Sequence, residues 1–126
     1  MRSAAGTIVA EQADGVTVVR LSGEIDGALR DQASRAMARA LTAGMPVVLD
    51  ASGTRFVDSR GVAFLIQCAR ACEQVGLTVT LRDPPAQVRG VIAYLGAEEI
   101  LPLAGAGAGA RAGGGADRPG APAGDA

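Results

Sequence analysis

The run Arg55-Phe56-Val57-Asp58-Ser59-Arg60-Gly61-Val62 holds the residues whose types and order point most directly to chemistry. An apolar, strand-like stretch ends before it and a helical pattern begins inside it, which puts Ser59 at or next to a helix N-cap. At that position the first backbone N–H groups lack partners within the helix, and the helix dipole favours negative charge. A phosphoryl group on the Ser59 hydroxyl would add about −1.5 to −2 charges where the backbone tolerates them best. Such a modification is expected to leave the helix folded and to act on a partner's surface. Asp58 and Ser59 also suffice as ordinary helix caps, and an Asp-Ser-x-Gly string by itself does not separate the two roles. Arg60 either meets a phosphate on Ser59 through a charge-assisted contact or is a solvated first-turn residue, which is the ordinary state of an exposed arginine. Arg55 reads in the same way, as a solvated loop residue within reach of that segment.

Other chemistry is excluded by what the chain lacks. Its 126 residues include no His and no Lys, and 12 Arg stand against 13 Asp and Glu for a net charge of −1. Without His there is no Ser-His-Asp triad, no Cys-His pair and no zinc-finger spacing. Without a basic excess, direct nucleic-acid binding is not expected. Cys68 and Cys72 stand one helical turn apart, a spacing that fits neither a Cys-x-x-Cys redox pair nor a disulfide framework, so both are expected to be small core residues in a reducing compartment. Glu24 and Asp26 are two carboxylates in one short segment, but no second cluster joins them, and turn chemistry accounts for them better than acid–base work or a cation site. Neither a metal nor a cofactor is expected, and no group is in place for an enzyme's own active site.

The elements that must position Asp58 and Ser59 follow from periodicity. Thr7–Ala10 and Val16–Ser22 read as two strands of a hairpin around Ala13-Asp14-Gly15. From Ala28 to Ala43, Leu29, Ala33, Ala36, Met37, Ala40 and Leu41 recur at helical spacing, and Gly44 and Pro46 stop that helix. Pro46 to Asp50 reads as a short central strand buried on both faces, with Ser52-Gly53-Thr54 breaking the pattern. A second helix starts at about Ser59, carries Val62, Leu65, Ile66, Ala69 and Cys72 on its apolar face, and ends at Gly76. Because Ala63, Phe64 and Cys68 on its flanks are apolar too, it is covered on more than one side or offers a contact surface. Leu77–Arg82 alternates as a strand, and a third helix begins with Asp83 as N-cap and a proline in its first turn, buries Val88, Val91, Ile92 and Leu95, and stops at Gly96. Glu98–Leu103 supplies one last short edge strand. Strands separated by helices of these lengths pair in parallel through right-handed crossovers, so the expected fold is a small α/β domain with a mixed sheet.

That domain is expected over residues 5–103. Residues 104–126 hold nine Ala and eight Gly, 17 of 23 positions, and are read as a disordered tail. Glu11 and Asp14 interrupt the N-terminal stretch before a signal-length apolar run can form, and no run approaches the roughly 18 to 20 apolar residues that cross a bilayer. No membrane insertion is expected, and the cytoplasm is the expected compartment.

Taken together, a buried strand, Phe-Val-Asp-Ser-Arg-Gly, an apolar helix, a strand and then Asp-Pro-Pro before another helix resemble the anti-sigma factor antagonists of the STAS family. The resemblance runs from about Thr7 to Leu103, and Leu21-Ser22-Gly23-Glu24-Ile25-Asp26 resembles the family's Gly-Glu-Leu-Asp segment after the second strand. It implies a STAS-like mixed sheet of four to five strands with three main helices packed on it. It also implies that Ser59 is the phosphoacceptor, that Asp26 lies near it, and that Asp26, Asp58, Arg60 and Gly61 meet the partner. The family's loop usually carries a second hydroxyl where this chain has Arg60. By the same resemblance the bacterial partner is an anti-sigma factor that is also an ATP-dependent serine kinase, bound while Ser59 is free so that a sigma factor is released. Phosphorylation reverses the binding, and a metal-dependent phosphatase resets it. Two other roles stay open: an accessory subunit of a membrane transport ATPase, and an unphosphorylated scaffold of a signalling complex.

Overall fold

The computed structural model describes residues 6–104, so the tail expected from 104 onward lies outside the described residues except for Ala104. Strand β1 (Thr7–Ala13) turns into β2 (Val16–Ile25) through Asp14 and Gly15, with φ of 53° and 80°. Two successive positive-φ residues are what a two-residue type I′ hairpin turn requires, and an Asp-Gly pair meets that need at low cost. The hairpin register carries Glu11, Gln12 and Ala13 opposite Val18, Thr17 and Val16, so β1 runs past the Ala10 limit read from the sequence.

A 3-10 turn (Gly27–Leu29) leads into α1 (Arg30–Ala43), and Gly44, left-handed with φ 68°, closes it. Next come β3 (Val47–Val57), α2 (Ser59–Gln74), β4 (Val79–Arg82) and α3 (Ala86–Tyr94). The sheet order is β1-β2-β3-β4, antiparallel in the first pair and parallel in the next two. This is the mixed α/β architecture expected. Because the parallel strands step across the sheet in one direction, right-handed crossovers put α1 and α2 on the same face. Val19, Leu21, Leu49, Ala51 and Leu81 meet the helices there, with Leu65, Cys68, Ala69 and Cys72 of α2 at the centre of the core. Phe64 and Cys68 are buried because α2 lies between α1 and α3, which accounts for its broad apolar face.

Leu95, read as part of the third helix's buried stripe, is 56% exposed, because α3 ends at Tyr94 and Leu95 falls at its C-cap. Besides the β1 limit, three boundaries depart from the sequence reading for physical reasons. Ser52-Gly53-Thr54 does not end β3: two register shifts, between Arg20 and Ser22 and between Gly23 and Glu24, carry the pairing on to Ile25 opposite Val57. A Cβ at Gly53 would stand 3.2 Å from Ser22 Oγ and 3.3 Å from Leu21 O, so glycine here permits a close strand approach at a bulge. Asp83 is not the cap of α3. It is left-handed with φ 51°, and Pro84, held extended by the proline that follows it, delays the helix until Pro85 acts as N-cap. The last strand shrinks to one bridge between Leu81 and Leu103, because Leu101 N donates to Ala97 O in a turn and the Asp83 bend ends β4.

Among the described residues, no helix covers the second face of the sheet. Val48 is half-buried there, and Asp50 is covered by side chains of its neighbours, so β3 is not sandwiched between two layers as its apolar run suggested.

Candidate functional site

Ile25 and Val57 are register partners, so Asp26 and Asp58 leave the sheet side by side at the ends of β2 and β3. The junction is held by Asp58 N, which donates to Ile25 O at 3.0 Å. Each aspartate then caps a helical segment. Asp26 Oδ1 accepts from Ala28 N at 2.9 Å and starts the 3-10 turn. Asp58, extended with ψ −177°, accepts from Arg60 N at 2.9 Å and Gly61 N at 3.0 Å through Oδ1 and starts α2. Those two bonds supply partners that the first turn of a helix otherwise lacks.

Ser59 is the first residue of α2 and is exposed. Its hydroxyl makes no hydrogen bond among the described residues, in contrast to the two other hydroxyls nearby. Ser52 Oγ donates to Asp50 Oδ1 at 2.7 Å, and Thr54 Oγ1 donates to Ala51 O at 2.7 Å. Only Ser59 combines exposure with an uncommitted oxygen on this stretch.

Gly61 is buried, and a Cβ there would fall 2.6 Å from Val57 Cγ1 and 3.0 Å from both Ile25 Cγ2 and Ile25 O. Glycine thus lets the first turn of α2 sit directly on the ends of β2 and β3, which fixes where Ser59 points. Arg60 extends the other way, across Gly27: a Cβ on Gly27 would stand 2.7 Å from Arg60 Cδ and 2.8 Å from Arg60 Nη1. Asp26, Arg60 and Gly61 therefore line one groove of about 430 Å³ between the 3-10 turn, α1 and α2, together with Arg30, Met37 and Phe64. Asp58 and Ser59 are not among its lining residues. Arg55 is exposed on β3, and its side chain makes no hydrogen bond or ion pair among the described residues.

Sequence reasoning missed two contributors. Gln87 of α3 donates from Nε2 to Val57 O at 3.2 Å and ties the third helix to the end of β3; no local pattern signals a contact across that sequence distance. Phe56 stands 48% exposed two residues before Asp58, an apolar ring on the rim of the site in a chain with three aromatic residues. Its signal was present in Phe-Val-Asp-Ser, but its exposure depends on β3 continuing to Val57.

A second polar cluster lies in the middle of the sheet's helix-free face. Asp50 is 6% exposed and every direction of its carboxylate is used. Oδ1 accepts from Ser52 N at 3.0 Å and from Ser52 Oγ, while Oδ2 accepts from Arg20 Nη1 at 3.2 Å and Arg82 Nη1 at 3.4 Å. Burial pushes its pKa up, but the Ser52 hydrogen bonds and the Arg82 and Arg20 charges outweigh that and hold it below the ordinary carboxylate value of 3.8. The thiols are also committed. Burial, aided by Cys72, pushes Cys68 up to about 12, and burial raises Cys72, so neither is a nucleophile near neutral pH. No group of three or more His, Cys, Asp or Glu among the described residues could hold a metal, and no described helix is long and apolar enough to cross a membrane.

Residues 8–102 match the family described as Mlab, STAS domain. No curated protein sequence matches the chain. Among solved structures, an anti-sigma factor antagonist from Mycobacterium paratuberculosis is 29% identical, with 81% of this chain and 87% of that one covered and a TM-score of 0.64. The phosphorylated form of the Bacillus cell fate determinant SpoIIAA is 23% identical over 79% of this chain and 93% of its own, also with a TM-score of 0.64. The murine anion transporter Slc26a9 matches at 23% identity and a TM-score of 0.57, over 75% of this chain and 18% of its own.

Proposed function

From the premise that this chain belongs to the STAS domain family, we propose that it is an anti-sigma factor antagonist controlled by phosphorylation of Ser59. With the hydroxyl free, the protein binds an anti-sigma factor that is also a serine kinase, and a sigma factor is released. In the transfer step Ser59 Oγ attacks the γ-phosphorus of the kinase's ATP, the bond to ADP breaks, and the hydroxyl proton passes to a base of the kinase or to water. A metal-dependent phosphatase returns the hydroxyl by hydrolysis and releases inorganic phosphate. The antagonist is the substrate and the binder in both steps.

The observation that carries this reading is the state of the Ser59 hydroxyl: exposed and uncommitted on the first residue of α2, while Asp58 fixes the turn from behind. The loop needs no rearrangement to present that oxygen. The 29% identical antagonist supports the circuit. The fold alone does not choose between such a circuit and a transport subunit, since an anion transporter domain shares it. The loop favours the circuit, because neither a transport subunit nor a scaffold requires a presented hydroxyl.

Incubation with the cognate kinase and ATP, followed by peptide mapping, tests the reading. Label on Ser59 alone is expected. Label on Ser52 or Thr54 with Ser59 bare, or no transfer to the chain, overturns it.

A further inference from the structure

Arg60 follows Ser59 directly in the chain, and its side chain reaches across to the 3-10 turn. Its guanidinium end lies against Gly27, which has no Cβ to push it away, and it lines the groove between the 3-10 turn and α2. Among the described residues it makes no ion pair. The Arg20 and Arg82 guanidiniums, by contrast, are committed to carboxylates. The neighbouring acidic groups do not hold it either: Asp58 Oδ1 is engaged by two backbone N–H groups of α2, and Asp26 Oδ1 by Ala28 N. Among the described residues no hydrogen bond or ion pair ties Arg60 down at Gly27. A phosphate on the adjacent residue would place about −1.5 to −2 charges beside two carboxylates, where an uncommitted guanidinium is the strongest available partner.

We propose that Arg60 reads the state of Ser59: with the hydroxyl free it lies across Gly27 along the groove, and a phosphate on Ser59 draws it off Gly27 and uncovers the groove there. This deepens the reading of Ser59 as phosphoacceptor and rests on it. It gives the single-hydroxyl loop a consequence: the arginine in place of a second hydroxyl couples the modification to the Asp26–Gly27 segment. The surface offered to the partner then changes in shape at the groove as well as in charge at Ser59. Arg30 lines the same groove and Arg55 stands on β3 before the loop, so both are competing counter-charges and belong in the test.

The full chain carrying phosphoserine at 59, installed by genetic encoding or ligation, needs no kinase and so separates this inference from the enzymology. Three readouts apply: the Gly27 amide shift, the Arg60 Nε–H shift, and the phosphate titration followed by 31P NMR. Phosphorylation is expected to move both proton resonances. The titration midpoint is expected about half a unit lower in the parent than in Arg60→Gln, because a paired cation favours the dianion. Arg55→Gln and Arg30→Gln should leave the midpoint within about a tenth of a unit, and circular dichroism should show all variants folded. An unchanged Gly27 amide, or a midpoint shared by parent and Arg60→Gln, overturns the proposal. So does a midpoint governed by Arg55 or Arg30. Failure of a kinase to modify Ser59 would instead count against the proposed function and leave these readouts standing.

Discussion

Asp50 and Asp58 belong to one stretch of chain, the first within β3 and the second just beyond it, yet they have opposite fates. Around Asp50 both oxygens are saturated by Ser52, Arg20 and Arg82, the carboxylate is 6% exposed, and the hydroxyl beside it is spent on the same cluster. Around Asp58 one oxygen takes both backbone bonds, and the hydroxyl beside it faces solvent with no described partner. Similar residue types thus build a closed network in one place and an open site in the other. Burial and completeness of hydrogen bonding separate a structural carboxylate from a site, because a satisfied buried group has nothing left to offer a ligand.

Breaking the closed network should have the largest effect on stability. Asp50→Ala is expected to cost about 2–3 kcal/mol in urea unfolding, below the usual range for a broken buried pair because both arginines are half-exposed. A cost under about 0.5 kcal/mol would mean that solvent already serves those groups. Gly61→Ala should cost about 1–3 kcal/mol through the overlap with Val57 and Ile25, and should weaken partner binding by shifting the start of α2. Asp58→Ala removes one cap and two bonds, for about 0.5–2 kcal/mol.

The same contrast has a pH signature. The folded-state pKa of Asp50 lies below its unfolded value, so its contribution is fully present above that unfolded value near 3.8 and is lost as pH falls through the lower folded value. Asp50→Asn should therefore flatten the acid limb of stability below about pH 4, with the two stability curves parallel from pH 5 to 7. A parent acid limb that persists unchanged in Asp50→Asn would assign the loss to other carboxylates. The smallest effect is expected at Thr17, whose buried hydroxyl has no partner among the described residues: Thr17→Val should stabilise by about 1 kcal/mol.

Much of this contrast was legible in the sequence, and the gaps are instructive. The Asp14-Gly15 turn, the Gly44 stop and the start of α2 at Ser59 rest on local backbone chemistry, and local chemistry is written in adjacent residues. The continuation of β3 through Ser52, Gly53 and Thr54 was not legible, because it depends on bulges in its pairing with β2. Their polarity reports exposure, which a strand edge and a loop share. The Asp50 cluster was missed for the same reason: Arg20, Asp50 and Arg82 are brought into one row by register alone. Asp83 misled because an Asp before proline looks like a cap, and only the second proline moves the helix start onward. At the site, Asp58 and Ser59 could be placed from spacing, whereas the Arg60–Gly27 contact and the Gln87 tie come from tertiary packing.

In the proposed switch, the open hydroxyl governs binding. Titration calorimetry of the cognate anti-sigma kinase with the unmodified chain and with the chain phosphorylated at Ser59 measures this most directly. The added charge should weaken binding at least about 100-fold, equivalent to about 2.7 kcal/mol, with the thermal midpoint of the free protein unchanged within about 2 °C. Affinities within about threefold of each other, at full phosphate occupancy, would contradict the switch and leave Ser59 as no more than the first residue of a well-capped helix.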